Sequence, residues 1–135
     1  MDIHKALAIS ANGMSAQTAR LRIIAENLAN QDTAGSSPGT GPYRRKTVTF
    51  ANTMDRSLGA ATVRIKRVGQ DMGEFPLRYD PGHPAADARG YVRAPNVNSF
   101  VEMMDMKEAE RSYSANLNVM QVSRGMLTRA LDMLK

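Results

Sequence analysis

The sequence predicts a mainly α fold in which long N- and C-terminal helices pack as a coiled-coil-like pair, with a small β-rich insert between them. Three observations predict it: heptad-spaced apolar residues at both ends, a Gly- and Pro-rich break after residue 30, and a distinct centre. That centre, residues 41–95, holds five of the seven aromatics and five of the six prolines of a 135-residue chain. The partition is 1–33 for an N-terminal helix, 34–95 for a loop and a basic β-rich region, and 96–135 for a C-terminal helix. Together they suit one domain.

The first helix is expected over 2–30, which contains no Pro and only Gly13, with Ala at seven positions. Leu7, Met14, Leu21 and Leu28 recur every seven residues, with Ile3 and Ile24 at the partner positions. Gly35, Ser36, Ser37, Pro38, Gly39 and Gly41 then supply helix-hostile backbone.

In the centre, residues 44–50 alternate so that Lys46, Val48 and Phe50 share one side and Arg45, Thr47 and Thr49 the other, residues 62–66 alternate more cleanly, and Phe75, Leu77 and Tyr79 form a third row with Pro76 marking an edge. Two or three short strands are expected. Asp80-Pro81-Gly82-His83-Pro84 reads as a turn.

The second helix starts near Ser99, where Ser99 and Glu102 have capping-box spacing and Asn96 or Asn98 offers an alternative cap. Its seam runs through Met103, Met106, Glu110, Tyr113, Leu117, Met120, Arg124, Leu127, Leu131 and Leu134. A second stripe through Ala109, Ala115, Val119, Val122, Met126, Ala130 and Met133 widens the apolar face beyond what one partner helix covers. Six of the ten Met lie in this helix, which suits adaptable helix-to-helix contacts. An intramolecular hairpin and an assembly surface both fit the pattern. On the assembly reading, the isolated chain has loose ends that order when copies associate.

Composition excludes several functions. The chain has no Cys, which removes disulfides, thiolate metal sites and cysteine nucleophiles. Its apolar runs are far short of the roughly 18–20 residues that cross a bilayer, so no membrane insertion is expected. Met1-Asp2-Ile3-His4-Lys5 lacks the basic start of a secretory signal, and export without a cleaved leader is expected. The strongest catalytic candidate, Asp80 with His83 and Asp87, reads as turn chemistry, so no catalytic residue, metal or cofactor is expected. Charge is segregated as well. Residues 41–95 carry ten bases and five acids while both ends are neutral, so the whole net charge of +5 lies in the centre. Tyr43, Arg44, Arg45 and Lys46, followed by Arg64, Lys66 and Arg67, would suit phosphates, and a basic nucleic-acid-binding helical protein is the alternative reading. The same residues would equally suit an acidic neighbouring protein.

Ala11-Asn12-Gly13-Met14-Ser15-Ala16-Gln17, then Ile24-Ala25-Glu26-Asn27-Leu28-Ala29-Asn30 and Thr33, resemble the N-terminal signature of the flagellar rod and hook axial protein family. Pro42-Tyr43-Arg44-Arg45-Lys46, the run Asp80 to Asp87, Gly90-Tyr91-Val92, Pro95-Asn96-Val97-Asn98 and Glu102 to Asn116 extend the likeness to the proximal rod members. Only the Gly-Ser-Pro stretch at 35–41 is longer than that pattern. The resemblance implies a non-enzymatic subunit of the basal-body rod, exported by the flagellar type III system and assembled helically in the periplasm with copies of itself and other rod proteins to transmit torque for motility. The export apparatus and components near the MS ring would be further partners, with nucleic acid and membrane excluded. It also implies that Leu7, Met14, Leu21, Ile24, Asn27, Leu28 and Asn30 form an assembly interface with Tyr113, Leu117, Met120, Leu127, Leu131 and Leu134. Tyr43, Arg44, Arg45, Lys46, Arg64, Lys66 and Arg67 are then candidates for lateral contacts.

Overall fold

The computed structural model describes residues 2–135. Its elements run α1 (Ile3–Ala29), β1 (Lys46–Asp55), β2 (Ala60–Gln70), β3 (Leu77–Tyr79), β4 (Tyr91–Arg93) and α2 (Ser99–Asp132). β1 pairs with β2 and β3 with β4, giving two separate two-stranded sheets.

This corrects the expectation of a mainly α chain built on a coiled-coil-like pair. Helix accounts for 46% of the chain and strand for 20%, a mixed α and β composition in which two helices flank the strands. The strands were underestimated because their periodic signal stops early: Asn52-Thr53-Met54 and Gly69-Gln70 continue β1 and β2 without apolar alternation. The seam differs too. A coiled coil interlocks large apolar side chains, whereas the buried residues here are smaller and more polar.

The chain divides into two units. One is built from the chain up to Leu21, from Val48–Arg67 and from Met106–Lys135. In it α1 and α2 run antiparallel. A Cβ placed on Gly13 would lie 2.9 Å from the Asn116 Nδ2, and seven residues further along α1 the Arg20 guanidinium lies 3.6 Å from Glu108, eight residues back along α2. Ser10, Ala16, Ala109 and Ser123 are buried. Short side chains let two helix backbones approach closely, but they bury little apolar area. The Gln17 Oε1 is buried there without a hydrogen-bond partner among the described residues, which subtracts further stability.

The β1–β2 hairpin turns on Asp55, whose carboxylate accepts from the Ser57 hydroxyl at 2.6 Å and from the amides of Ser57 and Leu58 at 2.9 and 3.3 Å. The Ser57 hydroxyl, followed by those amides, holds the Asp55 carboxyl below the usual carboxylate range. Gly59 closes the turn with φ 61°, a conformation that favours glycine.

The other unit is built from Arg22–Thr47 and Val68–Asp105. Its β3–β4 ladder is antiparallel, with Leu77 opposite Arg93, Arg78 opposite Val92 and Tyr79 opposite Tyr91. Val92 is buried, while the Tyr79 and Tyr91 rings meet edge to face at 5.4 Å between centroids. The loop between the strands is tied by Asp87, whose carboxylate accepts from the amides of Arg89 and Tyr91 at 2.8 and 3.0 Å. His83 serves the same loop, its Nδ1 accepting from the Ala85 amide at 3.0 Å. Asn98 caps α2, its Oδ1 accepting from the amides of Phe100 and Val101. This leaves Glu102 for another use.

The Gly-rich stretch folds back on itself. Gly35 is buried, and a Cβ there would come within 2.0 Å of the Thr40 carbonyl oxygen. Gly35→Ala is therefore expected to force this loop open and to cost about 1–3 kcal/mol, the usual penalty for overpacking a tight site. Urea denaturation of the variant against Gly39→Ala, where a Cβ meets nothing within 4 Å, checks this.

Candidate functional site

Two features of the molecule stand out, an apolar stripe that the chain leaves uncovered and a polar node that it buries. The stripe lies on α2. In the first unit, Ala109 is 0% and Ser123 8% exposed, whereas Val122 is 63% and Met126 54% exposed. At 100° per residue the buried pair and the exposed pair lie on different sides of the helix. Val119, Leu131, Met133 and Leu134 are exposed as well. An amphipathic helix usually turns its large apolar side chains inward, yet α2 leaves several of them uncovered while Ala109 and Ser123 are buried.

The residues expected at an assembly interface are distributed accordingly. Leu7, Met14, Leu21, Leu28 and Asn30 on or just after α1, and Tyr113, Leu117, Met120 and Leu127 on α2, are half-buried, while Leu131 and Leu134 are exposed. Ile24 and Asn27 are buried. Asn30 donates its side-chain amide to the Glu26 carbonyl at 2.9 Å, closing the last turn of α1.

The polar node lies in the second unit and is centred on Asn27, which is 1% exposed. Its Nδ2 donates to the Lys46 carbonyl at 2.9 Å and to the Glu102 carboxylate at 3.3 Å. Its Oδ1 accepts from the Tyr43 hydroxyl at 2.8 Å and from the Lys46 amide at 2.9 Å. A side-chain amide has two donors and two acceptor lone pairs, and all four are used. Glu102 is fully buried and also receives the Arg45 Nε. The Arg45 guanidinium lies 3.6 Å from Asp71 and 3.7 Å from Asp105 as well. Burial alone would lower the Arg45 pKa, but the hydrogen bond and charge of Glu102, with Asp71 and Asp105 behind them, outweigh it and raise the value.

The neighbours of Arg45 are equally occupied. Arg44 donates through Nη1 to the carbonyls of Asp71 and Gly73 at 2.7 and 2.9 Å, and its guanidinium lies 4.1 Å from the centre of the Phe75 ring. Lys46 pairs with Glu26. Asn96 accepts from the Arg45 amide at 2.8 Å and donates to the Asp71 carbonyl at 2.9 Å. Of the expected lateral-contact residues, then, Tyr43, Arg44, Arg45 and Lys46 spend their polar groups within the chain, whereas Arg64, Lys66 and Arg67 are exposed on β2. Glu26, Asp71, Asn96 and Glu102 were not singled out by sequence reasoning as partners of the basic run. Only their charge and amide chemistry was visible.

Burial, followed by the nearby Glu26 carboxylate, raises the Tyr43 pKa above its ordinary 10.0. A folded-state value raised in this way contributes stability that is complete below the unfolded pKa and lost as pH rises through the folded one. The Lys46 pKa is raised too, first by its hydrogen bond to Glu26, so both groups act in the same alkaline window. The urea midpoint is expected to fall as pH rises past about 10, and to fall less in Tyr43→Phe. Identical pH profiles for the two proteins would contradict it.

Comparison with known proteins reaches both ends of the chain. Residues 7–35 match the family described as flagella basal body rod protein, and residues 88–133 match the C-terminal family of the flagellar basal body rod FlgEFG proteins. The flagellar basal-body rod protein FlgC of Agrobacterium fabrum is 49% identical over 127 residues, covering 94% of this chain and 91% of that protein. FlgC of Salmonella typhimurium is 39% identical over 127 residues, covering 93% and 92%. FlgC of Bacillus subtilis is 35% identical over 147 residues, covering 98% of each chain. With rod-family matches on both helical ends and full-length likeness to these proteins, the chain belongs to the FlgC family of flagellar basal-body rod proteins.

Proposed function

We propose that this chain is a non-enzymatic structural subunit of the proximal part of the flagellar rod, exported unfolded through the flagellar type III apparatus and assembled helically in the periplasm. The observation that carries this reading is the uncovered apolar stripe of α2, which holds Ala109 and Ser123 inside and leaves Val122 and Met126 outside. Uncovered apolar side chains along a helix gain most by burial against other helices. In this scheme Leu7, Met14, Leu21, Ile24, Asn27, Leu28 and Asn30 support contacts that Tyr113, Leu117, Met120, Leu127, Leu131 and Leu134 make within and between subunits. Copies of this chain and other rod proteins are the partners, with components near the MS ring at one end. The rod so built transmits motor torque.

The internal use of Tyr43, Arg44, Arg45 and Lys46 favours this reading over nucleic-acid binding, because those side chains are committed to Asn27, Glu102, Asp71 and Glu26. The test is electron microscopy of basal bodies, with swimming assays, in a strain lacking only this chain and after its restoration. Absent or truncated rods, restored by the wild-type chain, are expected. Complete rods in the deletion strain would overturn the proposal.

A further inference from the structure

We propose that the Asn12-Gly13 bond is a self-modifying site that α1 shields while folded and that unfolding opens, and that its main product, isoaspartate, does not fit back into the helix pair. The chemistry goes beyond the rod-subunit reading and stands without it.

The reaction needs no enzyme. The Gly13 backbone nitrogen gives its proton to hydroxide and attacks the side-chain carbonyl carbon of Asn12. The C–N bond of the side-chain amide breaks, and that nitrogen leaves as ammonia. One water then opens the resulting five-membered succinimide. Water entering at the main-chain carbonyl routes the chain through the former side chain as isoaspartate, the major product, and water entering at the other carbonyl leaves aspartate. The balance is one water consumed and one ammonia released. This bond is the favoured one, because Gly13 has no β-carbon to crowd the attacking nitrogen, whereas every other Asn of the chain is followed by a residue that has one. Asn12 is exposed as well, so hydroxide and water reach it.

Folding opposes the reaction. Both residues lie inside α1, where each peptide N–H is directed at the carbonyl four residues back and not at the preceding side chain. The Asn12 Nδ2 donates to the Ala8 carbonyl at 3.0 Å, which holds the side chain along the previous turn and away from Gly13. Attack therefore waits for α1 to open locally, and its rate follows the fraction of time that this turn is open.

The product falls where the fold has least room. Isoaspartate adds one carbon to the main chain immediately before Gly13. There α1 and α2 pass so closely that a Cβ on Gly13 would lie 2.9 Å from the Asn116 Nδ2, and Ser10, two residues before Asn12, is 3% exposed. A lengthened main chain interrupts the helical hydrogen-bond ladder at this point and puts Ser10 and Gly13 out of step with each other against α2. On the export reading, a subunit kept unfolded too long would spoil itself, whereas a folded one keeps.

The full chain would be incubated at mildly alkaline pH in denaturing guanidinium chloride and in native buffer, with isoaspartate at each Asn followed by peptide mass spectrometry that tells it from aspartate. In denaturant, residue 12 is expected to convert ahead of every other Asn, and in native buffer to convert about tenfold or more slowly. Equal rates in the two conditions, or conversion led by another Asn, would overturn the shielded site. The aged chain is then diluted from denaturant and its helix content read by circular dichroism. Helix recovery is expected to fall in proportion to isoaspartate at residue 12. Asn12→Gln, which would have to close a six-membered ring and reacts far more slowly, is expected to refold fully after the same ageing, as is unaged Asn12→Asp, which carries the charge without the extra carbon. Full recovery by isoaspartate-rich wild type, or an equal loss in either variant, would overturn the claim that the altered main chain fails to fit. Neither measurement involves rods, so a failure here leaves the rod-subunit reading standing.

Discussion

Glu102→Ala is expected to destabilise the isolated chain by about 3–5 kcal/mol, the range found when one partner of a buried ion pair is removed. The Glu102 side chain is fully buried and bonded to Arg45 and Asn27. Its loss leaves a guanidinium in a partly desolvated position and one Asn27 donor without its acceptor. Asp71 and Asp105, at 3.6 and 3.7 Å from Arg45, keep part of the charge balanced but do not replace the lost hydrogen bonds. Small domains have total stabilities of about 5–15 kcal/mol, so the variant should be largely unfolded at moderate urea. Glu102→Gln keeps an acceptor in place and should lose less. Urea melts of the three proteins decide it, and a melt of Glu102→Ala that overlays the wild type would refute the assigned role of the node.

Val122→Asp combined with Met126→Asp is expected to do the opposite, sparing the isolated chain and abolishing its incorporation into rods. Both side chains are more than half exposed, and surface substitutions of this kind usually change stability by no more than about 0.5 kcal/mol each. Once another helix covers the stripe, each Asp would be a buried charge without a partner. The expected result is a folded, exported protein with no rods and no swimming. Normal rods carrying the double variant would show that this side of α2 faces solvent in the assembly, and the interface would have to be sought elsewhere.

Much of the fold was legible in the sequence where signals were local. Both helices and the turn at 80–84 follow from Ala content, heptad spacing, and Pro and Gly placement. Which side of each helix is buried was not legible. Leu131 and Leu134 fit the apolar repeat as well as any residue, yet they are exposed, because periodicity reports that a face is apolar and not whose surface covers it. Glu102 illustrates a second limit. Its spacing from Ser99 suggested a cap, but Asn98 takes that role and Glu102 turns inward to Arg45, a partner 57 residues away that no local pattern reveals. β4 was missed because no apolar row extends it, whereas Phe75 precedes Leu77 and Tyr79 and lengthens the pattern of the equally short β3.

The node around Asn27 also fixes where this chain could take up extra length. Residues 31–42 leave α1 and return to a fixed base, where the Tyr43 amide donates to the Thr33 carbonyl at 3.0 Å and the Tyr43 hydroxyl donates to Asn27. A loop whose ends are pinned this way stretches cheaply, since doubling its length adds only about 0.6 kcal/mol of closure entropy. Insertions placed among the exposed residues 36–41 would leave the helices and the ion pairs in register. The loop can act as a length buffer, taking up or giving up residues at this point without disturbing the packing on either side.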